Sequence, residues 1–183
     1  MKDMPLTRRL CLGLIICLGS GFLGGTCAIP VSADSSRFWP TYHWGDKDSR
    51  SESHGVIHAL QFLLRAHGYS LAVDGVYGHA TEKAVRQFQQ AQHLVPSGEM
   101  NKPTWEALVV PLKQGSAGPA VIAAQIRLDA AGFAVPPTGR FDLPMKTALL
   151  KYQAQNGHTP DGVIGSYTWN ALLEGEGDEG EGD

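Results

Sequence analysis

At 183 residues, 43% hydrophobic and 18% charged, with a formal net charge of -3, the chain has the make-up of one ordinary globular domain or two small ones. The near-neutral balance excludes the strongly basic surface that nucleic acid requires. With 22 glycines and 11 prolines, it points to short elements joined by many turns.

Residues 1–33 read as an export signal. Lys2, Arg8 and Arg9 form a basic start, and the apolar stretch from Leu10 to Leu23 is interrupted by Gly13, Gly19 and Gly21. Val31-Ser32-Ala33 then supplies the small residues a signal peptidase inspects. The apolar run is too short and too rich in glycine for a comfortable membrane span. Thr7-Arg8-Arg9 partly matches a twin-arginine signal, and Gly24-Gly25-Thr26 ahead of Cys27 does not suit lipidation. Cys11, Cys17 and Cys27 all fall inside this segment. A cleaved chain would have no disulfide, no cysteine nucleophile and no thiolate metal ligand, and an apolar core alone would hold it. No membrane partner is expected after cleavage.

Residues 34–53 are polar apart from Phe38-Trp39-Pro40 and Tyr42-His43-Trp44. They are expected to form an aromatic strap over the first folded unit, with a sugar-stacking platform as the sharper alternative.

Residues 54–110 read as a three-helix unit. Val56, Leu60, Leu63 and Leu64 recur at helical spacing, and Gly68 stops the first helix. Asp74-Gly75-Val76-Tyr77-Gly78 is a turn. A second helix starts near His79 or Ala80, with Thr81 placed to satisfy a free amide and Ala84, Val85, Phe88 and Ala91 facing inward. Pro96 and Gly98 break the chain, and Pro103 opens a short third helix carrying Trp105 and Leu108.

Residues 111–173 repeat that plan. Shifted by 64, residues 54–110 lie on 118–174 without a gap: Gln61 meets Gln125, Gly75 meets Gly139, Gln89 meets Gln153 and Gly98 meets Gly162. Thr104-Trp105 and Ala107-Leu108 meet Thr168-Trp169 and Ala171-Leu172. The fold class is therefore all-α: two tandem small three-helix bundles, each with a large buried tryptophan at its end. The short link around residues 110–115 implies a fairly fixed relation between them. The tail, residues 174–183, is made of acids and glycines and is expected to be disordered and solvated.

The first unit, through Asp74-Gly75-Val76-Tyr77-Gly78-His79-Ala80-Thr81, Phe88-Gln89 and Pro103-Thr104-Trp105-Glu106-Ala107-Leu108, resembles the three-helix peptidoglycan-binding domain. The second resembles it through Gly139-Arg140-Phe141, Tyr152-Gln153 and Asp161-Gly162-Val163-Ile164-Gly165-Ser166-Tyr167-Thr168-Trp169. It departs at Pro137-Thr138 and at Met145, where the family prefers threonine, so its first turn is expected to be altered or unable to bind. The resemblance implies a stand-alone, non-catalytic wall protein that binds peptidoglycan in a shallow groove near the glycine turns and helix starts. The candidate groove residues are Asp74, Tyr77, Thr81 and Gln89 in the first copy, and Arg140, Asp142, Gln153, Asp161 and Tyr167 in the second. Trp105 and Trp169 are expected to be core. The ligand is expected to be stem peptide, glycan or both, bound with avidity by two weak sites.

Two other function classes remain. A secreted adaptor or inhibitor would use the same groove on a wall hydrolase. A metal-dependent wall hydrolase needs two or three histidines and a carboxylate around one ion. His54 and His58, one helical turn apart, are the best local pair, but no His-Glu-x-x-His run exists and the other histidines are scattered. No metal, cofactor or catalytic residue is assigned.

Overall fold

The computed structural model describes residues 39–48 and 55–174. The expected export segment and all of the acidic tail beyond Glu174 lie outside the described residues. Six helices follow in chain order: α1 (Val56–Ala66), α2 (His79–Ala91), α3 (Lys102–Leu108), α4 (Pro119–Ala130), α5 (Leu143–Gln155) and α6 (Ser166–Leu173). Among the described residues there is no strand beyond isolated bridges.

The central feature is the packing of α1 against α4, the most extensive helix–helix contact among the described residues. Seven of the eleven α1 residues are buried, and so are eight of the twelve in α4. A helix buried on so much of its circumference belongs to a core rather than a surface. Ala120, Ala123 and Ala124 keep α4 slim enough for close approach. One apolar cluster runs through both copies, from Trp39 and Leu60 to Trp169 and Leu173. Each copy has its three helices, but the two share one core.

The aromatic strap exists, and it is part of the repeat. Trp39 is 8% exposed and stacks on Trp105 with ring centroids 6.2 Å apart. The Trp105 Nε1–H donates to the Pro40 carbonyl at 2.7 Å. In the second copy the Trp169 Nε1–H donates to the Val110 carbonyl at 2.7 Å. Residues 109–118 therefore do for the second copy what residues 39–48 do for the first. The offset here is 70 rather than 64, because the first copy carries six extra residues between its strap and α1. What reads in the sequence as a linker is the second copy's own strap.

Asp48 bridges that insertion. Its carboxylate accepts the N–H groups of Ile57 and His58, both at 2.9 Å, so it caps α1 from outside the helix. Gly55 is needed where Asp48 lies against it, since a Cβ there would overlap the carboxylate. In the second copy no cap of this kind is required: the Gly118 carbonyl itself accepts from Val121 and Ile122.

Two local expectations are corrected. Thr81 does not cap α2; it is buried, donates to the Val76 carbonyl at 3.2 Å and accepts from Gln61. Ala91 is exposed rather than part of the inward stripe of α2.

Candidate functional site

The glycine turns are four copies of one arrangement, two in each unit. Asp74-Gly75-Val76-Tyr77, Ser97-Gly98-Glu99-Met100, Thr138-Gly139-Arg140-Phe141 and Asp161-Gly162-Val163-Ile164 all place their glycine in the left-handed region, at φ of +68°, +80°, +69° and +71°. In each, the first residue's side-chain oxygen accepts the N–H of the third residue, at 2.8 to 3.3 Å.

A buried glutamine reads each turn from the neighbouring helix. The side-chain oxygens of Gln61, Gln89, Gln125 and Gln153 accept the N–H groups of Gly75, Gly98, Gly139 and Gly162, at 2.8 to 3.0 Å. Their amide nitrogens donate to the carbonyls of Val76, Glu99, Arg140 and Val163, at 2.8 to 3.1 Å. At Gln61, Gln89 and Gln153 the amide also reaches a buried threonine hydroxyl: Thr81, Thr104 and Thr168. At Gln125 the corresponding residue is Met145, and the remaining donor reaches the Thr138 hydroxyl at 3.0 Å. The first turn of the second copy is thus preserved, not altered. Thr138 takes over the part of Asp74, and a thioether fills the space of the missing hydroxyl.

The fourth residue of each turn (Tyr77, Met100, Phe141 or Ile164) points into the core. Its backbone pairs with the strap of its own copy. Tyr77 exchanges bonds with Gly45 and Asp46, Met100 with Tyr42, Phe141 with Gly115 and Ser116, and Ile164 with Leu112. Each strap stitches the two turns of its unit together.

This architecture divides the residues expected to bind. Tyr77, Thr81, Gln89 and Gln153 are buried, with their polar atoms satisfied inside the protein. The Tyr77 hydroxyl donates to the Gly98 carbonyl at 2.7 Å, and burial first, then nearby acidic groups, push its pKa up. These four hold the turns in shape. Asp74, Arg140, Asp142, Asp161 and Tyr167 lie on the surface. Asp142 caps α5 by accepting the Met145 N–H at 3.1 Å, and Tyr167 tilts against His158 with ring centroids 4.3 Å apart.

Burial works against ionisation of Asp74, but the Gln61 amide and the backbone N–H groups outweigh it and hold its carboxyl below the ordinary 3.8. At Asp161 the Val163 N–H and then the Gln153 amide do the same. Both carboxylates keep one oxygen engaged in the turn and carry their charge at the surface.

Residues that sequence reasoning had not assigned to these turns are Gln61, Gln125, Ser97, Thr104 and Thr168. A signal for them was present: Asp74-Gly75 and Ser97-Gly98 lie 23 residues apart, as do Thr138-Gly139 and Asp161-Gly162. Each pair follows a helical glutamine.

Of the histidine pair, only His58 is among the described residues. The His58 Nδ1 lies 2.7 Å from the Asp48 carboxylate, at the start of α1, and His54 is outside the described residues. Among the described residues no three histidine, cysteine or acidic side chains gather as a metal cage would need.

Two stretches, 53–108 and 117–172, match the family described as "Putative peptidoglycan binding domain". The chain belongs to that family. Both matched stretches run from a helix start to the buried Trp-Leu end of a unit and contain both of its glycine turns. Among curated proteins, the uncharacterised FadG of Bacillus subtilis (strain 168) is 33% identical over 76 residues, 42% of this chain and 13% of FadG. The zinc D-Ala-D-Ala carboxypeptidase of Streptomyces albus G is 31% identical over 96 residues, 51% of this chain and 38% of the carboxypeptidase. The chain thus spans well under half the length of either relative. Among solved structures, a peptidoglycan-binding protein from Clostridioides difficile, crystallised with glutamine hydroxamate, is 33% identical over 35% of this chain and 40% of that one, with a TM-score of 0.34.

Proposed function

We propose that this protein is a non-catalytic binder of bacterial cell-wall peptidoglycan. The observation that carries this reading is the family's occurrence twice in tandem, with all four glycine turns held by the same buried glutamine arrangement. Turns held this firmly present exposed groups at little further entropic cost, which suits a shallow site for an amide- and hydroxyl-rich polymer. The surface members of the candidate set are Asp74 in the first copy and Arg140, Asp142, Asp161 and Tyr167 in the second. Tyr77, Thr81, Gln89 and Gln153 would support them from beneath.

Two sites on one shared core would engage a repeating ligand with a raised local concentration for the second contact. The basic, apolar and small-residue pattern of residues 1–33 accords with export to the wall. The carboxypeptidase relative is matched over about two fifths of its length, and that does not favour catalysis by this chain.

The test is sedimentation of the full mature chain with purified peptidoglycan sacculi. Co-sedimentation, reduced by the Asp161→Ala and Arg140→Ala variants, is expected. Protein left wholly in the supernatant while still helical by circular dichroism would overturn the reading. Such a protein in stoichiometric complex with a secreted wall hydrolase would act as an adaptor instead. Soluble muropeptides released from the sacculi and suppressed by a chelator would make it a hydrolase.

A further inference from the structure

All four tryptophans are described, and three are core: Trp39, Trp105 and Trp169. Trp44 is the exception, 58% exposed. It stands in a turn that is tied down on both sides. The His43 N–H donates to the Asp46 carboxylate at 2.7 Å, and the Gly45 N–H donates to the Tyr77 carbonyl at 2.9 Å. The turn is rigid, yet its largest side chain contributes little to the core. Instead the indole stacks on the exposed His79 ring at the start of α2, with centroids 5.4 Å apart and planes 27° from parallel. Polar groups lie beside the pair: Glu82 is 3.7 Å from the His79 Nδ1 and is held by Arg86 at 2.7 Å.

The second copy is an internal control. Its strap makes the same turn, with the Lys113 N–H donating to the Ser116 hydroxyl and the Gly115 N–H to the Phe141 carbonyl. There, however, the positions of Trp44 and His79 are held by Gln114 and Leu143. The fold does not require the aromatic stack. A flat, exposed and immobilised indole with a charged rim matches a pyranose ring, which offers one C–H-lined face and a rim of hydroxyl and amide groups. A stem peptide, lacking such a face, gains less from it.

We propose that Trp44, backed by His79, is a glycan-stacking platform that gives the first copy a preference for the sugar strand of peptidoglycan, a preference the second copy lacks. This rests on the peptidoglycan reading above and specifies which part of the polymer the first copy touches.

The experiment uses the full mature chain and two probes: peptide-free glycan made by amidase treatment of sacculi, and free stem pentapeptide. Acrylamide quenching of tryptophan fluorescence isolates Trp44, because the other three indoles are buried. Glycan is expected to protect the quenchable component, and pentapeptide to leave it unchanged. Trp44→Ala should weaken glycan binding about tenfold with its circular dichroism intact. The double change Gln114→Trp with Leu143→His should strengthen it. Binding of intact sacculi without protection of Trp44 by glycan, and undiminished in Trp44→Ala, would overturn the platform while leaving the peptidoglycan reading in place. Failure to bind sacculi at all would remove both.

Discussion

A single buried glutamine ties each turn to a helix, and this is where the smallest change should have a large effect. Replacing Gln153 by Leu would leave the buried Gly162 N–H and the part-buried Val163 carbonyl without their partners. The expected cost is roughly 2–4 kcal/mol, read as a lower urea midpoint with an unchanged slope. Loss of sacculus binding in this variant should follow the fraction unfolded, because the side chain lies beneath the surface. A second residue-scale prediction concerns acid. Asp74 and Asp161 have folded-state pKa values below their unfolded ones. Their contribution is therefore complete above the ordinary carboxylate value and is lost as pH falls through the lower, folded one. Unfolding free energy should decline from roughly pH 5 downward, and the Asp74→Asn/Asp161→Asn double variant should show a shallower decline. An unchanged acid slope would contradict the turn geometry. These roles were only half legible in the sequence. Asp74, Gln89 and Asp161 stood out as polar residues in a repeated pattern, but a glutamine that binds a ligand and one that binds a turn have the same spacing. Burial separates them.

At the scale of elements, the two copies solve one problem differently. α4 follows its strap directly, so the Gly118 carbonyl continues into the helix and accepts its first N–H groups. α1 follows its strap after an insertion, and Asp48 reaches back to supply the acceptors. Asp48→Ala should cost about 1–2 kcal/mol and speed hydrogen exchange at the first turn of α1, with no change at the first turn of α4. Equal acceleration at both starts would sink this account. The insertion also hides the repetition of the strap in the sequence. It changes the register from 64 to 70, and Trp39-Pro40 shares no residue with Val109-Val110. What the straps share is a backbone path, a carbonyl offered to a tryptophan N–H, one glycine (Gly45, Gly115) and one short polar acceptor (Asp46, Ser116), and only the last two leave a trace in the sequence.

Over the whole molecule, the pairing of α1 with α4 makes the two repeats one folding unit. Each helix is buried both against its own bundle and against the other copy, so neither bundle retains its core if the other unfolds. Thermal unfolding of the protein should be a single transition whose calorimetric and van't Hoff enthalpies agree. Two resolved transitions would contradict the shared core. The geometric consequence for the proposed binding is that the two sets of turns are carried on one body, so a repeating ligand would meet them at a set separation.

The amino-acid order by itself determined the helical class, the number and placement of the helices, the twofold repetition and the core role of Trp105 and Trp169. These follow from periodicity, glycine and proline punctuation and self-similarity, all of which are local or directly countable. Only the tertiary structure decided that the glutamines lock turns, that the strap belongs to each repeat, that Trp44 is left outside and that two bundles share one interior. Those outcomes depend on which faces meet and which groups water no longer reaches, and a linear pattern of residue types does not encode either until the chain has packed.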